Sequence, residues 1–177
     1  ESSKRVMAAL KNSGYKLPGL RIIVNLAPAY LRKEGAMYDL AIAIGILAAS
    51  GQIPGDDLDK YIILGELSLD GTIQPIKGAL PIAVQAKNDG FEGIILPSAN
   101  AKEAAIVSQL RILPVDRLQE VVDFLHNELI IEPTKVDLEQ EFMHNINSYE
   151  VDFADVKGQE NIKRALEIAA AGGHNVI

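Results

Sequence analysis

The sequence predicts an α/β domain with α+β character, and three observations carry that prediction. Helix-like and strand-like stretches alternate from Leu20 to Asn127, Asp70-Gly71 separates two short β-prone runs, and Leu40 to Ala49 is an unbroken apolar run of ten residues. Alternation of this kind builds a sheet layered with helices. An Asp-Gly pair is a hairpin signal, so the sheet is expected to be mixed. A helix that is apolar all round is expected to be buried between layers.

Each element has a local reason. Val6, Met7 and Leu10 recur at helical spacing, Ser2 or Ser3 is placed to cap that helix, and Gly14 follows where a left-handed residue ends one. The helix is expected from about Ser3 to Ser13. Leu20 to Leu26 is β-branched, entered from Pro18-Gly19 and left through Ala27-Pro28, and reads as a strand. Asp39 is placed to cap the apolar helix, which Gly51 and Pro54-Gly55 stop. Tyr61 to Leu69 runs into the Asp70-Gly71 two-residue turn and returns over Thr72 to Ile76. Gly78 precedes a helix to about Asn88 that tolerates Pro81 only in its first turn, and Gly90 closes it. Gly93 to Pro97 is a strand, Ser98 to Leu110 a helix begun by Ser98 or Asn100, Arg111 to Val115 a strand, and Arg117 to Asn127 a helix. After the acidic stretch that follows, Gly158-Gln159-Glu160 starts a helix broken at Gly172-Gly173, and His174 begins a strand-like run.

Composition narrows the function classes. The 177 residues contain no Cys, which excludes disulfide scaffolds, thiolate metal sites and cysteine nucleophiles. Nothing marks an oxidising compartment, and the expectation is a cytoplasmic protein. The longest apolar run is about half of a bilayer crossing, so no membrane role is expected. Seventeen basic against 24 acidic residues give a net charge of −7, which argues against an intrinsic footprint for nucleic acid. The excess is concentrated: Glu128 to Asp155 holds eight acids against Lys135 alone, and the rest of the chain is neutral. That stretch also loses periodicity, as a linker does. The missing initiator Met and the helical start at Glu1-Ser2-Ser3 suggest a piece of a longer protein.

Few residue groups suggest chemistry. Neither a G-x-x-x-x-G-K-[ST] loop nor G-x-G-x-x-G occurs, and Gly172-Gly173 reads as a helix stop. His126, His144 and His174 share no spacing, and Glu141-x-x-His144 lacks a second pair to complete a ligand set, so no metal is expected. The loop Arg32 to Asp39 opens a helix, where free N–H groups would suit an oxyanion, yet it holds no Ser or Thr. Lys33 and Glu34 read as exposed loop charges. Glu66 and Lys77 are the other charges inside apolar ordered text, and they read as exposed faces of the antiparallel pair.

Two stretches are more specific. Val24-Asn25-Leu26-Ala27-Pro28 with Lys33-Glu34-Gly35 and Tyr38-Asp39-Leu40, followed by Leu64-Gly65-Glu66-Leu67-Ser68-Leu69-Asp70-Gly71, resemble the YifB/ComM family of magnesium-chelatase-like AAA+ ATPases. Lys11-Asn12-Ser13-Gly14 adds to the likeness, and so does Asp152 to Glu160 with Gly172-Gly173-His174-Asn175-Val176-Ile177. The resemblance implies a Lon-protease-like mixed-sheet domain over residues 1–127, its opening strands missing, an acidic linker over 128–151, and the truncated start of an AAA+ module over 152–177. It also implies that Val156, Lys157, Gly158 and Gln159 are the adenine-side segment of an incomplete ATP site.

Lon's nucleophile loop, K-D-G-P-S-A-G, laid on Lys33 to Asp39 puts Met37 at the serine, and its G-G-L-K pattern laid on Lys77-Gly78-Ala79-Leu80 puts Leu80 at the lysine. A thioether cannot attack a carbonyl and a hydrocarbon cannot take its proton, so the resemblance implies a scaffold without peptidase activity. For the parent protein it implies an ATP- and magnesium-dependent hexameric motor acting in DNA branch migration, with this region partnering its own AAA+ module and DNA held elsewhere. The alternative is an interaction module of a metal-chelatase complex; an active Ser/Lys peptidase is the least favoured reading.

Overall fold

Residues 93–97, Gly-Ile-Ile-Leu-Pro, are buried on both faces, which is what the central strand of a parallel sheet covered on two sides requires. In the computed structural model, which describes residues 2–19, 21–26, 35–136 and 153–174, this strand lies between two parallel neighbours. The elements of the first part are α1 (Ser2–Asn12), α2 (Asp39–Ala49), β1 (Tyr61–Ile63), β2 (Glu66–Leu67), β3 (Ile73–Gln74), α3 (Ala79–Asn88), β4 (Gly93–Pro97), α4 (Ser98–Ala104), β5 (Arg111–Val115) and α5 (Leu118–Leu125). The sheet order is β1-β4-β5, with Ile62 opposite Ile94 and Ile94 opposite Ile112.

Alternate side chains of the sheet feed two cores. Ile95, Leu113 and Val115 join α1, α2 and α5, whereas Ile94, Leu96 and Ile112 join α3 and α4. This is the period of two written into the strand sequences. Gly93 is required at its place because a Cβ there would lie 2.5 Å from the Arg111 carbonyl oxygen on the neighbouring strand.

The α/β class stands, and several details differ from the sequence expectation. β2 and β3 pair antiparallel, Glu66 opposite Gln74 and Leu67 opposite Ile73, but they form their own ribbon and do not make the three-stranded sheet mixed. Their connection is a three-residue loop instead of a two-residue turn. Ser68 N–H donates to Thr72 O, Gly71 N–H donates to Ser68 O, and Gly71 takes φ +83°. That is a tight turn closed by a left-handed glycine, a combination the dipeptide Asp-Gly serves equally well.

The expected strand at Leu20 to Leu26 does not form over the described residues Arg21–Leu26, which have no regular structure. No ladder partner is present beside them among the described residues, and Ile23 is 79% exposed. Intrinsic β-preference alone does not make a strand. The helix after β4 ends at Ala104, earlier than expected, and Gln109 adopts φ +67° before β5. After α5 the backbone stays on the domain: Ile131 is buried and Thr134 N–H donates to Ile112 O on β5.

The chain divides into two compact units, 1–136 and 137–177. In the second, α6 (Glu160–Gly172) follows Gly158 and Gln159, and it ends at Gly173 with φ +62°, the helix stop expected there. Ala27 to Glu34, the pair Glu141 and His144, and the strand-like run after His174 lie outside the described residues.

Candidate functional site

Met37, which the Lon resemblance singles out, lies just before α2, where the link between β1 and β2 meets the start of the helix. The start of that helix is pinned to the link between β1 and β2: Gly65 N–H donates to Met37 O at 2.8 Å and Leu40 N–H donates to Gly65 O at 3.0 Å. Gly65 is required by this approach, since a Cβ there would stand 2.6 Å from Ile73 Cγ2 and 3.2 Å from Leu40 Cδ2. Met37, half-buried, packs against the core that contains Leu64, Ile76 and Ala79. Leu80, the second residue of α3, is half-buried, and its N–H donates to Glu103 Oε1 at 3.0 Å. A sulfur and a hydrocarbon thus occupy the two sequence-derived positions, and neither belongs to a hydrogen-bonded nucleophile and base.

Asp39 is not the cap that the sequence suggested. Tyr38 occupies the cap position without a side-chain bond, and Asp39 is the first helical residue, 1% exposed. Its carboxylate turns instead to α1, accepting from Arg5 Nε at 2.6 Å and Ser2 Oγ at 2.5 Å, with Leu67 N–H at 3.5 Å. A buried carboxylate keeps its charge only when a cation and donors replace water, and Arg5 supplies the cation. Ser2, expected as a helix cap, spends its hydroxyl on the same carboxylate.

Asn100 is likewise not a cap. Buried on α4, it accepts from Ile76 N–H and donates to Ile76 O, both at 2.9 Å. This mimics a strand partner and fixes the segment that leads to Lys77 and Leu80. Sequence reading missed it because Asn near a helix start is first read as a cap; its place inside the apolar pattern of α4 was the available signal. Glu66 is half-buried on β2 and Lys77 exposed, and they form no ion pair with each other. Among the described residues no group of His, Asp and Glu is disposed to hold a metal ion, and His126 and His174 are exposed.

A second feature flanks α2. The helix buries Leu40, Ala43, Ile44 and Leu47 in the core, while Ala41, Ile42, Gly45 and Ala49 line an apolar groove of about 600 Å3 with Ile22 to Leu26. Nothing lies within 4 Å of a Cβ built on Gly45. Burial between two layers, expected from the sequence, is therefore met on one side only among the described residues.

In the second unit, Val156, Lys157, Gly158 and Gln159 precede α6 and all four are exposed. Gly158 and Gln159 have φ +70° and +63°. With no phosphate-cradling loop in the sequence, these residues do not by themselves fit a nucleoside triphosphate.

A parallel sheet with helices on both faces, an antiparallel ribbon and a glycine-pinned helix start define a Lon-like α/β domain followed by a helical segment. The chain belongs to the YifB/ComM group of the magnesium-chelatase ChlI family: the model described as subunit ChlI of Mg-chelatase matches residues 1–100, and that described as magnesium chelatase, subunit ChlI, matches residues 152–177. It is 42% identical over 178 aligned residues to the protein YifB of Escherichia coli and 40% identical to the competence protein ComM of Haemophilus influenzae, each match covering 100% of this chain. It covers 34% and 35% of those proteins, about a third of their length. Lon protease 2 of Bacillus subtilis is 32% identical over 135 residues, 75% of this chain and 23% of that protein.

Proposed function

We propose that residues 1–127 are a non-catalytic Lon-like scaffold and regulatory domain, and that residues 152–177 begin the AAA+ module of a parent ATPase, across an acidic linker. The observation that carries this reading is chemical: Met37 and Leu80 stand where the Lon resemblance requires a hydroxyl and an amine. Peptide hydrolysis needs a nucleophile touching a base, and neither side chain serves.

The parent is read as a cytoplasmic, hexameric, ATP-driven DNA branch-migration motor. Its support is the similarity of this chain to about a third of a competence protein. ATP and magnesium would be held by the parent's complete module, to which Val156 to Gln159 contribute the adenine side. The family description as a chelatase subunit favours a second reading, an interaction module of a metal-insertion complex.

The test is ATP turnover by the full-length parent with no DNA, single-stranded DNA and branched DNA. Turnover that rises with DNA is expected; a flat response removes the motor reading and leaves the chelatase one. Cleavage of a fluorogenic peptide by the purified protein, lost on substitution of a residue near Met37, would overturn the scaffold.

A further inference from the structure

Residues 128–136, the first of the acidic linker, belong to the first compact unit, and the second unit starts at Asp137. Their path is set at the end of α5. Asn127 takes φ +60°, Asn127 N–H donates to Phe124 O, and both Glu128 N–H and Leu129 N–H donate to Asp123 O. Such bonds around a left-handed residue form a Schellman ending, which satisfies the last carbonyls of the helix and turns the chain off its axis. Asparagine is one of the few residues with a side chain that takes this conformation readily.

Beyond that turn, residues 130–136 have no regular structure and are attached at few points. Ile131 is 8% exposed and joins the core that includes α1, α2 and α5, while its neighbour Ile130 is 84% exposed. Thr134 N–H donates to Ile112 O at 2.8 Å, and among the described residues this is the backbone bond that ties the stretch to the sheet. The alternation of β5 explains why the contact stays short. Arg111 N–H donates to Glu92 O on the β4 side, so the backbone of Ile112 and Pro114 faces the outer edge. Pro114 has no N–H, and neither has Pro133 next to Thr134, so donors for a longer ladder are missing on both sides.

We infer that residues 130–136 are a releasable strap, docked on the outer edge of β5 through Ile131 and Thr134, that sets how much free chain connects the first unit to the second. One buried side chain and one sheet bond are a small part of what holds the cores. The strap therefore opens in a local step while β4 and β5 stay paired and the Schellman turn keeps α5 closed. Docked, the free chain starts after Val136. Released, it starts after Leu129 and gains seven residues, roughly 23 Å at full extension. The device lies in the connection itself and does not depend on what the parent protein acts on.

The test is limited trypsin digestion of the full-length parent, with the initial rate of each cut followed by mass spectrometry. A protease cuts only backbone that has opened, so cleavage after Lys135 reports the strap and cleavage after Arg111 reports β5. Wild type should be cut after Lys135 at least about ten-fold faster than after Arg111. Ile131→Ser and Thr134→Pro, which remove the anchor and the donor, should speed the Lys135 cut by about ten-fold or more and leave the Arg111 cut unchanged. Ile130→Ser, at an exposed side chain, should change neither. Equal rates at the two sites in wild type, or both sites speeding together in the two variants, would show a stretch that opens only with the core and would overturn the strap. A wild-type Lys135 cut as fast as that of the variants would show no docking and overturn it as well. If Ile131→Ser does not fold, Thr134→Pro decides by the same two cuts, since it leaves the core filled.

Discussion

Asp39 shows how one residue decides the meeting of two helices. Its carboxylate is almost wholly buried and holds Arg5 and Ser2 of α1, so removing Arg5 takes the paired cation away from a buried charge. Arg5→Ala, which strands the buried carboxylate, is expected to destabilise the chain by about 3 kcal/mol or more, and Asp39→Ala by less because the guanidinium it leaves is partly solvated. A double-mutant cycle in urea should give a coupling energy of the order of 1 kcal/mol or more. Additive losses would show that the pair is not coupled. Asp70 is a contrasting case at the surface: hydrogen bonds from the Thr72 side chain and backbone hold its carboxyl below the ordinary value of 3.8. A depressed carboxyl contributes stability above its unfolded value and loses it as pH falls through the folded one. Asp70→Asn should therefore flatten the acid limb of stability below about pH 4, because the variant already lacks at neutral pH the contribution that the wild type loses there. An unchanged acid limb would dismiss the Thr72 contacts.

At the scale of elements, β4, β5 and α2 were the most legible. Burial on two sides demands the unbroken apolar text of β4, and β4 and β5 begin and end where the residues indicated, whereas the apolar run of α2 marked the helix but not the side that the described residues leave open. The segment Arg21–Leu26 was not legible in the same way, because a strand exists only by pairing and the residues themselves do not state what lies beside them. Gly45 tests the groove next to it. It sits inside α2 with open space beyond its missing Cβ. If that face is open in this chain, Gly45→Ala should raise stability by about 0.5–1 kcal/mol through helix propensity alone. A loss of stability in thermal melts would mean that the face is covered in solution.

For the whole molecule, stability is expected to be uneven between the two units. The first holds both hydrophobic cores, whereas α6 has no buried residue. A 13-residue helix without a buried face is marginal in water. Hydrogen exchange should find the amides of β4 and β5 protected by several orders of magnitude more than those of α6. Equal protection would show that α6 gains packing that its exposure does not display.

What the residues determined unaided is the α/β class and the order of most elements, because side-chain periodicity is a property of the sequence itself. Only the tertiary structure decided that Asp39 clamps α1 instead of capping α2, that Asn100 holds Ile76, that the hairpin stands apart from the sheet and that one side of α2 faces a groove. The polar contacts among these depend on partners distant in sequence, 24 residues away for Asn100 and 34 and 37 for Asp39. A donor, an acceptor or an apolar face is local; what satisfies it is settled by folding.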